Sequence, residues 1–275
     1  MPTVDTKRMR FHYVIQGDED GLPVLFLHGS YASSRWWAPL LAILPEEIRA
    51  VAPDLRGCGA SERSETGYAI DEQAEDVRAF VEALGWDGFD LVGHSSSGAV
   101  ALEYALRYGH TLNSLVLVDA APVEGVRTPL EVYPVLESLR TDRALLGTAL
   151  RNLMPSVADA PDQQPFIEQL IDDAQAMSPA AFTATARALD HWDRFQAVGQ
   201  ITLPTLLIWG DQDSIVDHPS TVRSLVAIPG ANNMEVLRGV GHSPMIEAPL
   251  RLAERLIDFI TEEFDDFEEI RESVE

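Results

Sequence analysis

The amino-acid sequence predicts an α/β protein in which a mostly parallel sheet is flanked by helices and interrupted by a helical insertion. Three observations lead there. Short β-type runs alternate with longer amphipathic runs, the pattern of parallel strands joined by crossover helices. At 90–100 the stretch DLVGHSSSGAV passes from an apolar run through small residues into a second apolar run, as a strand turning tightly into a helix does. Between about 123 and 200 the alternation stops, and only helical stretches are found.

Taken in order, strands are expected near 8–16 (RMRFHYVIQ), 23–27 (PVLFL), 49–53 (RAVAP), 89–92 (FDLV), 114–119 (SLVLVD), 204–209 (PTLLIW) and 233–237 (NMEVL). The turn residues of GDEDGLP (17–23) predict an antiparallel hairpin between the first two. A helix is expected over 71–84 because Ala74, Val77, Val81 and Leu84 recur at helical spacing, with Asp71 as its cap and Gly85 ending it. Another runs over 96–108 to Gly109, and 143–153, 163–175 and 179–189 read as helices of the insertion. The expected division is a core of 1–122 and 201–265, an insertion of 123–200, and an acidic tail of 266–275.

With 46% hydrophobic and 23% charged residues the composition is that of a soluble globular chain, and 275 residues suffice for a substantial core. The start, MPTVDTKRMR, lacks the apolar segment of a secretory signal, and runs such as PTLLIW are too short to cross a bilayer, so a cytoplasmic protein is expected. Cys58 is the sole cysteine, so neither an internal disulfide nor a cysteine-based metal site is expected. No His/Asp/Glu cluster has metal-ligand spacing in the sequence, so no metal and no cofactor is read. The net charge of −24, part of it from EEFDDFEEIRESVE (262–275) with eight acids against Arg271, disfavours nucleic acid and membranes as partners. DLRGCGAS (54–61) has the glycine spacing of a phosphate loop, but no suitably placed helix follows it, so no nucleotide site is read.

The serine run carries the chemistry. A nucleophile on a strand–turn–helix elbow needs very small residues two before and two after it, because the turn brings those backbones against a neighbouring strand and helix. With Ser95 at the centre the flanks are Gly93 and Ser97; with Ser96 they are His94 and Gly98; Ser97 has glycine on neither side. Histidine at the leading position would be crowded, whereas serine at the trailing one is scarcely larger than glycine. Ser95 is therefore the expected nucleophile. Its Oγ would stand at the C-terminal edge of the sheet, where open α/β sheets bind ligands. The Ser96 N–H, at the head of the following helix, would face a developing oxyanion. The competing reading is that one of these serines only caps the helix.

Three distant stretches bear on that choice. LFLHGSYASSRWW (25–37) sets His28-Gly29 at the end of an early strand and offers the Ser30 N–H as a second oxyanion donor. LIWGDQDSIVD (207–217) puts acids just past a strand, and LRGVGHSPMIEAP (237–249) puts His242 between the last strand and the last helix. With HGSYASS, DLRGCGAS, VGHSSSGAVA, LVLVDAAP, WGDQDSIV and GHSP in this order, the chain resembles the α/β-hydrolase fold superfamily over nearly its whole length, and within it a serine esterase or lactonase with a helical cap. Ser97 departs from the commoner GHSxGG form.

That resemblance implies a sheet of about eight strands, with the insertion as the cap. It implies His242 as general base and Asp213, at the G-x-x-D position after Gly210, as the triad acid. Asp119 occupies the place a minority of relatives use, and Asp211 reads as a loop-stabilising neighbour. His94 is expected to point away from the reacting face and His28 to be structural. His12, His110 and His218 have no partner pattern and read as core or surface residues, while His191, in DHWDRF of the cap, is a candidate for substrate contact with a structural role as the stronger reading. Tyr31, Trp36, Trp37, Met154 and Trp192 are candidates for an apolar substrate pocket, core packing being their competing fate. The implied reaction is hydrolysis of a carboxylic ester of a small or medium apolar substrate through an acyl-enzyme, or alternatively of a lactone or enol-lactone. Serine rather than aspartate at the elbow argues against dehalogenase and epoxide hydrolase chemistry. Outside hydrolysis stand small-ligand receptors and cofactor-free oxygenases or lyases of the same fold.

Overall fold

Apolar runs become the centre of one sheet. The computed structural model describes residues 2–261, so the tail expected at 266–275 lies outside the described residues. The strands are β1 (Thr3–Asp5), β2 (Arg10–Gln16), β3 (Leu22–Leu27), β4 (Ile48–Pro53), β5 (Phe89–His94), β6 (Leu112–Val118), β7 (Thr205–Gly210) and β8 (Ala231–Leu237). They pair in the order β1-β2-β4-β3-β5-β6-β7-β8. β1 and β2 run antiparallel to their neighbours, and every pairing from β4 to β8 is parallel.

The short α1 (Ala38–Leu41) precedes β4, α2 (Ile70–Leu84) leads into β5, and α3 (Ser96–Tyr108) follows it. Between β6 and β7 lie α4 (Tyr133–Leu139), α5 (Arg143–Asn152), α6 (Gln164–Gln175) and α7 (Ala181–His191), with no strand among the described residues; α4 packs on α7 and α5 on α6. The chain closes with α8 (His218–Ala227) before β8, then α9 (Pro244–Glu247) and α10 (Pro249–Ile260).

Two local expectations are corrected. The hairpin between 8–16 and 23–27 does not form, because β4 lies between β2 and β3. The turn joining them bonds instead to the start of β4: Asp18 N–H donates to the Glu46 carbonyl and Leu22 N–H to that of Glu47, both at 2.7 Å. Asp71 does not cap α2. The helix begins one residue earlier, behind an extended Ala69, and Asp71 lies in the first turn, where its charge favours the positive helix end without bonding an N–H. Gly85 does end it, in the left-handed region at φ 71°.

The central strands are buried on both faces, which is why they read as continuous apolar runs rather than alternating ones. Val24, Phe26, Val92, Val116 and Val118 pack to one side; Leu25, Leu27, Leu91, Leu115 and Leu117 pack to the other. Parallel register then fixes the functional edge. Leu27 pairs with Gly93, His94 with Val118, Val118 with Ile208, and Gly210 with Leu237, so the residues that follow β3, β5, β6, β7 and β8 meet at one rim.

Candidate active site

β5 ends at His94 and α3 starts at Ser96, so Ser95 alone makes the turn. Its backbone stands at φ 54°, ψ −125°, strain of order 1–3 kcal/mol for a residue with a side chain. Three bonds hold it there: Ser95 N–H donates to the Val118 carbonyl (3.1 Å), and the Ser95 carbonyl accepts from Gly98 and Ala121 N–H (both 2.9 Å). Gly93 is needed for close approach, since a Cβ there would lie 2.8 Å from both Ala101 Cβ and the Ser97 carbonyl. Ser97 is more than a small residue. Its buried hydroxyl lies 2.8 Å from the Leu27 carbonyl and 2.9 Å from that of His94, tying the ends of β3 and β5 together as glycine could not.

His242 reaches Ser95 from the loop after β8. Its Nε2 lies 2.8 Å from Ser95 Oγ, and its Nδ1 lies 2.8 Å from Asp213 Oδ2. A carboxylate only accepts, so Nδ1 carries the proton and the bare Nε2 accepts from the serine hydroxyl. Asp213 Oδ1 accepts from Ile215 N–H (2.7 Å) and Val216 N–H (3.1 Å). Burial pushes the Asp213 carboxyl up, but the bond and charge of His242 and those two N–H groups outweigh it, and the net effect is a proton affinity below the ordinary carboxylate range. Asp211 Oδ1 accepts from Gly239 N–H (2.6 Å), holding the loop that leads to His242.

Asp119, the residue after β6, is fully buried at φ 42°. Its Oδ1 accepts from Gly210 N–H at 2.8 Å, while Oδ2 is buried without a partner. Burial first, then the neighbouring charge of Asp213, pushes its carboxyl well above the ordinary range. Asp119, Asp213 and His242 are the group among the described residues whose ligand-type atoms come within 4.8 Å of one another as those of an ion site would. Both histidine nitrogens and both Asp213 oxygens are already engaged in the bonds above.

On the opposite side, His28 Nε2 accepts from Leu55 N–H (3.0 Å) and Nδ1–H donates to the Gly29 carbonyl (2.9 Å), so a neutral ring pins the loop carrying Ser30. Burial lowers its pKa, in keeping with that state. Neither the Ser30 nor the Ser96 N–H has a protein acceptor among the described residues, and the two side chains are joined, Ser30 Oγ donating to Ser96 Oγ at 3.0 Å.

His94 does not turn away from this site. Its Nε2–H donates to the His242 carbonyl at 2.7 Å, and the two rings lie 5.0 Å apart, with Trp36 and Trp37 beyond. Burial lowers its pKa to about 3, with the adjacent His242 adding to the effect, so the ring stays neutral and braces the His242 loop from behind. Nothing in the spacing of GHSSSG signals that contact, which joins positions 94 and 242.

A cavity of about 480 Å³ opens above Ser95 and His242. Leu136, Leu153, Thr185, Ala186 and Leu189 of the insertion form one wall, Tyr31 and Trp36 another, and Ile215 and Val216 a third. Glu124 and Arg223 pair at 2.8 Å along its lining. Of the aromatic and methionine candidates, Tyr31 and Trp36 line the cavity; Trp37, Met154 and Trp192 do not. Trp37 is fully buried against Phe26, and Met154 is fully buried in the same core cluster. Trp192 belongs to the other core, where its indole N–H donates to Glu103 Oε2 at 3.0 Å, the acceptor a buried indole requires. No helix among the described residues is long and apolar enough to cross a membrane.

Comparison with known proteins follows the same lines. The model of the alpha/beta hydrolase family matches residues 24–255. The monoacylglycerol lipase ABHD6 of Homo sapiens is 27% identical over 275 residues, covering 91% of this chain and 79% of the relative. The esterase RhEst1 from Rhodococcus sp. ECU1013 superposes with a TM-score of 0.80 at 25% identity, over 94% of this chain and 97% of that one. The enol-lactonase from Burkholderia xenovorans LB400 gives 0.82 at 22% identity, over 95% and 100%, a likeness of fold.

Proposed function

The chain belongs to the alpha/beta hydrolase family, and on that footing we propose that it is a serine hydrolase cleaving carboxylic esters of small or medium apolar substrates through an acyl-enzyme. The single observation that carries this reading is the unbroken run from Asp213 Oδ2 to His242 Nδ1 and from His242 Nε2 to Ser95 Oγ, each step 2.8 Å, at the floor of an apolar cavity.

In this reading Ser95 Oγ attacks the ester carbonyl carbon while its proton passes to His242 Nε2, and Asp213 stays ionised to hold the imidazolium. The carbonyl oxygen, now negative, accepts from the N–H groups of Ser30 and Ser96, each such donor being worth roughly 10²–10³ in rate. Collapse of the tetrahedral intermediate expels the alcohol, which takes the proton from His242. A water molecule then gives a proton to His242 as its oxygen attacks the acyl-enzyme; collapse of that intermediate releases the carboxylic acid, and the departing Ser95 Oγ takes the proton back from His242. The insertion at 123–200 acts as the cap, its wall over the cavity selecting the acyl or alcohol group. A lactone would be opened by the same steps.

A fluorophosphonate probe tests the assignment. It is expected to label the peptide holding Ser95 in the wild type and in Ser96→Ala, but not in Ser95→Ala. An unlabelled protein that still binds small esters tightly would refute hydrolysis in favour of a receptor. A panel of p-nitrophenyl esters and lactones then reads which bond is preferred.

A further inference from the structure

Behind Asp213 lies a second carboxyl that the two-step reaction does not use. Asp119 is fully buried, and its Oδ2 has no partner among the described residues. It shares with Asp213 and His242 a space in which one polar atom of each comes within 4.8 Å of the others. The titratable groups around it include Asp213, His242 and Glu247. Glu247 is itself engaged, Oε1 by the N–H groups of Gly241 and Ser243 and Oε2 by Ser156. Among the described residues no arginine or lysine forms an ion pair with Asp119 or Asp213.

Two ionised carboxylates so near, without a cation between them, cannot both persist in a buried space. One of them holds a proton. Asp213 is the poorer candidate, because three N–H donors already point at it, from Ile215, Val216 and His242. Asp119 accepts one, from Gly210, and has a free oxygen.

We propose that Asp119 is kept as a neutral carboxylic acid whose O–H donates to the Asp213 carboxylate, making it a positioning residue for the triad acid. The proposal rests on the reading of Ser95, His242 and Asp213 as a triad. A fourth donor completes the acceptor capacity of Asp213 and fixes its rotamer. It also draws negative charge away from the bond to His242, so that Asp213 orients Nδ1–H without removing its proton. Burial and the charge of Asp213, which both raise the Asp119 carboxyl, act in the same direction.

Infrared difference spectroscopy at neutral pH, together with kinetics on p-nitrophenyl acetate, tests this on the full chain. The wild type is expected to show the carbonyl stretch of a buried protonated carboxylic acid, lost in Asp119→Asn. Asp119→Ala removes both the donor to Asp213 and the acceptor for Gly210, and is expected to lower kcat about tenfold or more with KM little changed. It should also move the acid limb of the kcat/KM profile upward by about half a unit or more, because Asp213, without the donor at 119, holds more negative charge against the His242 imidazolium. In Asp119→Asn the amide N–H donates to Asp213 and the amide carbonyl accepts from Gly210, so kcat is expected to be rescued to within about threefold. An Asp119→Asn enzyme as impaired as Asp119→Ala would overturn the proposal, since negative charge would then be what position 119 supplies. So would spectra of wild type and Asp119→Asn that do not differ in the protonated-carboxyl region, or activity abolished by a chelator and restored by a divalent cation. If the Asp119→Ala chain fails to fold, the spectrum and the Asp119→Asn kinetics still decide. Absence of fluorophosphonate labelling at Ser95 would overturn the triad reading instead, and the infrared band separates the two failures because it does not depend on turnover.

Discussion

Gly29 is where the loop carrying Ser30 passes closest to Ser95, and Gly29→Ala isolates the contribution of that loop. The added Cβ would lie 2.7 Å from Ser95 Cβ, 3.1 Å from His94 Nδ1 and 3.3 Å from Ser95 Oγ. The first distance is about 1 Å inside ordinary carbon–carbon contact. Neither neighbour is free to retreat, since Ser95 is held by three backbone bonds and His94 by the His242 carbonyl and two tryptophan rings. Gly29 does not sit at positive φ, so alanine adds no torsional penalty and the effect is steric. The loop must therefore recede, carrying the Ser30 N–H out of the 2.7–3.1 Å range in which a donor stabilises an oxyanion. Loss of one such donor amounts to about 10²–10³ in rate, or roughly 3–4 kcal/mol of transition-state stabilisation. We expect kcat/KM on p-nitrophenyl acetate to fall by about 10²-fold, with fluorophosphonate labelling of Ser95 slowed in parallel. A folded Gly29→Ala protein within about threefold of wild type would refute the placement of Ser30 in the oxyanion hole.

Other perturbations probe separate parts of the molecule. Asp213→Asn removes the acceptor that sets the His242 tautomer, and kcat is expected to fall by on the order of 10³–10⁴ in steady-state assays. Asp90, buried at the start of β5, bonds Ser114 Oγ at 2.6 Å, yet burial raises its carboxyl from 3.8 to about 6. The folded chain therefore holds that proton more tightly than the unfolded one; the associated stability is complete below pH 4 and is lost as pH rises through about 6. Asp90→Asn, which still accepts from Ser114, should raise stability at pH 7.5 by up to ~3 kcal/mol and change nothing near pH 4, read as urea midpoints; an equal gap at both pH values would count against it. Leu136→Ala enlarges the cavity wall and is expected to shift preference severalfold toward longer acyl chains across a p-nitrophenyl ester series. Trp192→Phe, by contrast, leaves the cavity untouched and should lower the thermal midpoint without changing KM, the cost of a lost buried bond to Glu103 being about 1 kcal/mol.

The features read correctly from the sequence are short-range ones. Strand and helix positions followed from periodicities within one element, and the register of the serine turn followed from the size of Gly93 and His94, residues at most two positions from Ser95. The mostly parallel sheet and the family followed from the order of such segments along the chain. Long-range pairing is a different matter. Turn residues at 17–23 look the same whether the chain folds back on itself or passes over β4, and only the bonds to Glu46 and Glu47 distinguish the two. Trp37, Met154 and Trp192 have the apolar surface a pocket needs, but equally the surface a core needs.

By itself, then, the amino-acid sequence determined the central strands and most of the longer helices, though not β1, α1, α4 or α8, together with the order of Ser95, Asp213 and His242 along the chain and the steric reason why Ser95 stands at the turn. Tertiary structure decided which carboxyl faces His242, which side chains wall the cavity, that His94 and Ser97 bond to the loop and strand ends around Ser95, and that Asp119 lies buried beside Asp213. The division has a physical cause. Steric limits and hydrophobic periodicity act between residues a few positions apart and are written locally, whereas a bond between positions 94 and 242, or 119 and 210, exists only once parallel strands have brought their C-terminal ends to a common edge.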